Sequence, residues 1–205
     1  MRKNPRIGIM GGTFDPIHYG HLVTAEEALV QFNLDRVIFM PTGVPAAKPA
    51  RTVTSAEHRY LMTVIATASN ADFEVSRREV DRPGPTYTVD TMRELRSEHG
   101  PQAELYFITG ADAMWEILSW KDADQLVLLG RFIAATRPGY DLTRFAESAA
   151  GTEFMPAVEF MEVPALAISS TDIRARFAGK RPVQYLLPEA VASYARKNAL
   201  YEDER

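Results

Sequence analysis

Arg6-Ile7-Gly8-Ile9-Met10-Gly11-Gly12-Thr13-Phe14-Asp15-Pro16-Ile17-His18-Tyr19-Gly20-His21 is the stretch from which the fold of this chain is read. The apolar run Arg6 to Met10 predicts a strand that breaks at two glycines. A helix is predicted from about His21 to Phe32, because Leu22, Ala25, Leu29 and Phe32 recur at helical spacing. Strand, glycine turn and helix together open a parallel α/β arrangement. Glycines after a strand let backbone amides approach a ligand, and the helix N-terminus adds partial positive charge. Such a place suits phosphate. His18 and His21 flank Gly20 at the helix entrance, where their imidazoles can donate to phosphate oxygens. The stretch is neither a Walker A loop nor the Gly-x-Gly-x-x-Gly dinucleotide fingerprint. Asp15 and Pro16 read as turn residues rather than catalysts.

Working outward, further strands are predicted near Arg36 to Met40, Asp72 to Ser76, Glu104 to Thr109, Phe132 to Thr136 and Val158 to Val163. Helices are predicted between them. One starts at Thr54-Ser55-Ala56-Glu57, where Thr54 and Glu57 have capping-box spacing. Others cover Asp90 to Glu98, Asp112 to Leu118, Leu142 to Ser148, Thr171 to Phe177 and Glu189 to Lys197. The alternation implies an α/β fold, a doubly wound parallel sheet with helices on both faces. Pro41 to Val53 reads as a long loop, with four Pro or Gly residues and the cations Lys48 and Arg51.

Composition narrows the function. The 205 residues, 46% hydrophobic and 24% charged, fit one domain spanning 1–205 with a substantial core. The 23 Lys and Arg against 27 Asp and Glu argue against sequence-independent nucleic-acid binding. The absence of cysteine excludes disulfides, thiolate catalysis and iron–sulfur clusters. No signal peptide or membrane span is read, so the expected compartment is the cytoplasm, with no membrane partner. A zinc site is not read either, since the two histidines have no third ligand nearby and only His58 and His99 remain.

A second signal lies about 150 residues further on, at Ile168-Ser169-Ser170-Thr171-Asp172-Ile173-Arg174. Ser and Thr are good N-caps, and capping alone would account for them. Three hydroxyls and an Arg one turn in also make a second anion site at a helix entrance.

With both motifs in hand, the chain resembles the nucleotidyltransferase superfamily, with its Thr/His-x-Gly-His signature on a Rossmann-like sheet. Gly11 to His21 is most similar to the bacterial nicotinate-nucleotide adenylyltransferases. The resemblance implies that His18, His21 and Arg174 act in catalysis and, with Gly11, Gly12, Thr13, Ser170 and Thr171, hold ATP. Gly110-Ala111-Asp112 is similar to the family segment at the adenosine ribose, assigning Gly110 and Asp112 to ATP. Arg137-Pro138-Gly139 resembles the turn near the adenine, assigning Arg137. For the mononucleotide, Thr86 and Tyr87 match the segment beside the pyridine ring, and Trp120 aligns with the tryptophan that stacks on it. Lys121 follows Trp120 as a backbone donor, while Trp115 reads as core. Lys48 closes a loop that in the family usually reads Pro-Pro-His-Lys; Ala46 and Ala47 stand here for the second Pro and the His.

The implied reaction is adenylyl transfer from ATP to nicotinate mononucleotide. The acceptor is a phosphate monoester, ionised at pH 7, so attack on the α-phosphorus needs no general base. Mg²⁺ is implied, bound mainly through ATP phosphates and water, with no protein metal ligands. A homo-oligomer is compatible with this reading. Pantetheine-phosphate and glycerol-phosphate transferases share the first motif but differ in their C-terminal signatures. A non-catalytic nucleotide sensor would lack His21 or Arg174, and both are present.

Overall fold

The computed structural model describes residues 4–46, 53–111, 114, 117, 119–136, 155–164 and 167–202. Along the chain the strands are β1 (Arg6–Gly12), β2 (Arg36–Pro41), β3 (Val44–Pro45), β4 (Phe73–Val75), β5 (Pro85–Thr86), β6 (Glu104–Gly110), β7 (Arg131–Thr136) and β8 (Val158–Glu162). The helices are α1 (Tyr19–Gln31), α2 (Ala56–Thr67), α3 (Thr88–His99), α4 (Ala123–Leu129), α5 (Ser170–Ala178) and α6 (Glu189–Lys197). A six-stranded sheet runs in the order β4-β2-β1-β6-β7-β8, and β1/β6, β6/β7 and β7/β8 pair in parallel. The order reverses between β1 and β6, which places the topological switch point there; their carboxyl ends carry Gly11–Gly12 and Gly110. This is the expected α/β architecture.

Two compact units can be distinguished. The first comprises Met1–Gly11, Thr24–Ile38 and Tyr87–Ala165. Its central strands are buried on both faces, and so β6 reads Leu105-Tyr106-Phe107-Ile108 without polar alternation. α3 buries Val89, Met92 and Leu95 at spacings of three and ends at Gly100, whose φ of 79° favours glycine. Of the helix expected at Asp112 to Leu118, the described residues Ala111, Met114 and Ile117 are helical and buried. α4 was not expected.

The second unit comprises Gly12–Val23, Phe39–Thr86 and Leu166–Arg205. Here the expected capping box of Thr54 and Glu57 is not formed. Ser55 caps α2, its hydroxyl accepting from the His58 amide at 3.4 Å. The Thr54 amide donates to Asp15 instead, and Glu57 pairs with Arg77 at 2.9 Å. The long loop also carries structure: β3 pairs in parallel with β5, Val44 against Pro85 and Pro45 against Thr86. Gly43 precedes this pair because a Cβ there would lie 2.0 Å from the Glu79 carbonyl oxygen.

Candidate active site

In the second unit, α1 begins at Tyr19, so His18 stands at the helix entrance and His21 in its first turn, as expected. Their rings stack, centroids 3.8 Å apart and planes inclined by 25°. A Cβ on Gly20 would come within 3.0 Å of the His18 Nδ1 edge, so glycine gives that ring its place. The His18 backbone N–H donates to His21 Nδ1 at 3.2 Å. Neutral His21 therefore carries its proton on Nε2, leaving that nitrogen as a donor. Burial holds the His21 pKa well below its ordinary value, and the neighbouring His18 adds to the effect. Burial lowers His18 to about 4. Both imidazoles are neutral at pH 7. His18 Nδ1 is buried with no hydrogen-bond partner among the described residues.

The two motifs meet. Ser170 donates to the Pro16 carbonyl at 2.9 Å, and Arg174 to the Asp15 carbonyl at 2.7 Å. Ser169 caps α5 by accepting from the Asp172 amide, and Thr171 accepts from Arg174 at 3.4 Å. The hydroxyls thus divide between capping, bracing the turn and orienting the guanidinium. A cavity of about 720 Å³ beside the turn is lined by Asp15, Thr54, His58, Thr171, Arg174 and Tyr201 among others.

Asp15 does more than turn the chain. It is 5% exposed, and its carboxylate accepts from the Tyr201 hydroxyl at 2.7 Å and the Thr54 amide at 3.1 Å. Burial, followed by the Asp15 charge, pushes the Tyr201 phenol well up, keeping it a donor. Arg59 is 1% exposed and donates to the carbonyls of Thr54, Thr13 and Gly43. Sequence reasoning misses Arg59, and it reads Tyr201 only as the end of a C-terminal stretch that resembles the family in a structural role. The available signal for Arg59 is its place in the apolar stripe of α2, in register with Met62, Thr63 and Ala66. Thr86 is buried, its hydroxyl donating to the Val44 carbonyl at 3.1 Å.

In the first unit, Trp120 stands edge-on to Phe107, centroids 5.9 Å apart at 90°. The same Phe107 ring explains Gly11, where a Cβ would come within 2.9 Å of it. Lys121 lies 4.6 Å above the Tyr87 ring and 3.2 Å from an Asp90 oxygen, so its charge is countered locally. Tyr87 precedes α3, whose N-terminus has no side-chain cap. Gly110 ends β6 with open space where a Cβ would stand. Lys48, Asp112 and Arg137, together with Trp115 and the helix expected at 142–148, lie outside the described residues. Among the described residues, no group of three His, Asp or Glu side chains is placed to hold a metal, and no helix is long and apolar enough to cross a membrane.

A glycine turn opening a helix at the switch point of a parallel sheet, with imidazoles and a guanidinium on the turn, defines a nucleotidyltransferase-type α/β protein. The family model described as cytidylyltransferase-like matches residues 9–176. The chain is 60% identical over 198 residues to a probable nicotinate-nucleotide adenylyltransferase of Moorella thermoacetica, covering 96% of this chain and 91% of that one. A relative of the same name from Thermoanaerobacter is 54% identical, covering 98% and 97%. The nicotinic acid mononucleotide adenylyltransferase of Plasmodium falciparum, complexed with NaAD, matches in fold with a TM-score of 0.80 at 20% identity, over 98% of this chain and 99% of that one. The chain belongs to the nicotinate-nucleotide adenylyltransferases of the cytidylyltransferase-like family.

Proposed function

We infer that the chain transfers the adenylyl group of ATP to nicotinate mononucleotide, releasing pyrophosphate and forming nicotinate adenine dinucleotide for NAD biosynthesis. The observation that carries this reading is the docking of Arg174 and Ser170 onto the turn that bears His18 and His21, which gathers donors of both motifs around one helix entrance. The relatives' shared name supplies the acceptor.

In this reading the turn amides of Gly11, Gly12 and Thr13 and the His21 Nε2–H receive the α-phosphate region, with His18 beside it. Arg174 and Thr171 stabilise charge collecting on the departing pyrophosphate. The acceptor phosphate attacks the α-phosphorus in line; the bond from phosphorus to the bridging oxygen breaks, and the electron pair leaves with pyrophosphate. Alignment supplies much of the rate, because no proton must be moved from the nucleophile. Trp120 is assigned to the pyridine face, the backbone near Tyr87 and Lys121 to the ring carboxylate, and Lys48 and Thr86 to the remaining acceptor contacts. Asp112, Gly110 and Arg137 are assigned to the adenosine half.

The implied Mg²⁺ would be carried by the ATP phosphates rather than by protein ligands. The donor set suits that assignment: imidazole, amide, hydroxyl and guanidinium groups bind phosphate, while Asp15 is buried and engaged with Tyr201 and Thr54. The metal, when present, screens triphosphate charge against the incoming phosphate. We take the 205 residues as one nucleotidyltransferase domain acting in the cytoplasm without nucleic-acid or membrane partners. Pyrophosphate release from ATP with a panel of phosphorylated acceptors tests the activity: nicotinate mononucleotide should lead the panel, and release with none would overturn it.

A further inference from the structure

We propose that Arg59 is a positioning residue for adenylyl transfer, the joint that sets the glycine turn against both ends of the proline-rich segment. The proposal rests on the activity inferred above. Arg59 occupies the fourth position of α2, on its buried face, and its guanidinium is 1% exposed. Its Nε donates to Thr54 O at 2.8 Å, one terminal nitrogen to Thr13 O at 2.7 Å and the other to Gly43 O at 2.8 Å. One carbonyl belongs to the phosphate turn, and the other two bracket residues 43–54.

A buried guanidinium engaged with three carbonyls is a costly way to fill a core position, since desolvation opposes the charge. The geometry shows what the charge accomplishes. Three backbone segments are fixed to one rigid planar group with diverging donors. Thr54 is held twice, its carbonyl by Arg59 and its amide by Asp15, itself a residue of the turn. Against the burial that opposes it, the Arg59 charge finds its largest favourable partner in Asp15. A shift of the turn is therefore passed to residues 43 and 54 through Arg59 at once, alongside the separate Gly12–Thr42 and Asp15–Thr54 bonds. In-line transfer is sensitive to such shifts, because a misplacement of about 1 Å can cost on the order of 100-fold in rate.

Arg59→Lys keeps the charge but ends in one tetrahedral nitrogen that cannot reach three diverging carbonyls. It should lower kcat per folded molecule by about tenfold or more while both KM values move less than about threefold, the pattern of lost alignment. A purely structural role would lower the folded fraction and leave kcat per folded molecule unchanged, which overturns the proposal. Hydrogen exchange on the parent protein gives a test that needs no variant. An ATP analogue with a methylene between the α- and β-phosphates should slow exchange in the turn and, together with it, in the peptides around Gly43 and Thr54. Protection of the turn alone overturns the joint, whether or not the variant folds. If the parent forms no dinucleotide, the activity reading fails, and the exchange measurement, repeated on folded Arg59→Lys where the shared protection should be lost, still decides whether Arg59 links the segments.

Discussion

His18 and His21 stack face to face, and the backbone amide of the first fixes the ring of the second by donating to its Nδ1. The imidazole proposed to meet phosphate is then a neutral Nε2–H donor with a set tautomer. His21→Ala should lower kcat by roughly 100-fold or more, as expected when a preorganised donor to developing charge is removed. It should also cost about 1–2 kcal/mol of stability, because the His18 amide loses its acceptor. Steady-state kinetics with a urea melt checks both; near-normal turnover in a folded variant removes His21 from the mechanism.

Stability should fall as pH falls through the range set by His18. In the unfolded chain His18 takes up a proton near 6.5, while in the folded chain burial delays this to about 4. Between these values the unfolded state binds more protons, so acid favours unfolding. The loss begins below about pH 6.5 and is complete near pH 4, with His21 acting in the same direction. For His18 alone the full effect is on the order of 3 kcal/mol. Urea midpoints at pH 7 and 5, for the parent and His18→Gln, should show a smaller decline in the variant. Equal declines would place the acid sensitivity elsewhere.

Tyr201→Phe should keep the packing on Phe177, whose ring lies 5.6 Å away, and remove the hydroxyl that donates to Asp15 and also meets Thr54 and Met62. The loss should be about 1–3 kcal/mol, the range for a buried charged acceptor that loses a partner. The KM for ATP should rise with it, since Asp15 belongs to the turn that Arg174 braces. A stable variant with unchanged ATP kinetics would detach Tyr201 from the site.

Phe107→Leu tests the first unit. It removes the ring that stands against Gly11 and meets Trp120 edge-on. Losing the aromatic contact, worth about 0.5–1.5 kcal/mol, should free the indole and raise the acceptor KM several-fold more than that of ATP. Equal changes in both KM values would show that Phe107 supports the fold alone.

The strands of the main sheet were legible because buried parallel strands are continuous apolar runs, and β6 and β7 have no other reading. α4 was hidden by its length of seven residues and its polar start, entered through Asp122 at φ 50°. The β3/β5 pair carries no periodicity, being two residues a side with a proline on each. Thr54 and Ser55 are adjacent hydroxyls, and only the pull of Asp15 on the Thr54 amide decides that Ser55 caps. The motif residues of the site were legible because glycine and histidine spacing is local. Arg59, Tyr201 and the bracing role of Ser170 depend on partners 46 to 186 residues away or on a helix face, which local spacing does not encode.

Selection of the acid over the amide acceptor turns on which donors are free. The sequence assigns Thr86 to this task, but its single hydroxyl proton points at the Val44 carbonyl, and Lys121 is balanced by Asp90. Among the described residues the Thr88 and Val89 amides of α3 remain, the Asp90 amide being bonded to the Tyr87 carbonyl, at an N-terminus that the Tyr87 side chain does not cap and that carries the positive end of the helix dipole. A ring carboxylate accepts from such amides at either oxygen, whereas a carboxamide must present one NH₂ group to donors. With one or two mismatches at about 1–3 kcal/mol each, kcat/KM for nicotinate mononucleotide should exceed that for nicotinamide mononucleotide at least tenfold. Thr86→Val and Lys121→Met should change this ratio less than about threefold, because neither removes a free donor. Thr88→Pro should reduce it several-fold. Proline suits the first helical position, and Tyr87 before it already holds the extended conformation proline requires, so the Thr88 amide is lost with the Thr88 hydroxyl, for which Thr88→Val is the control. If the ratio survives Thr88→Pro and collapses in Thr86→Val, the side-chain hydroxyl rather than the helix terminus selects the acid.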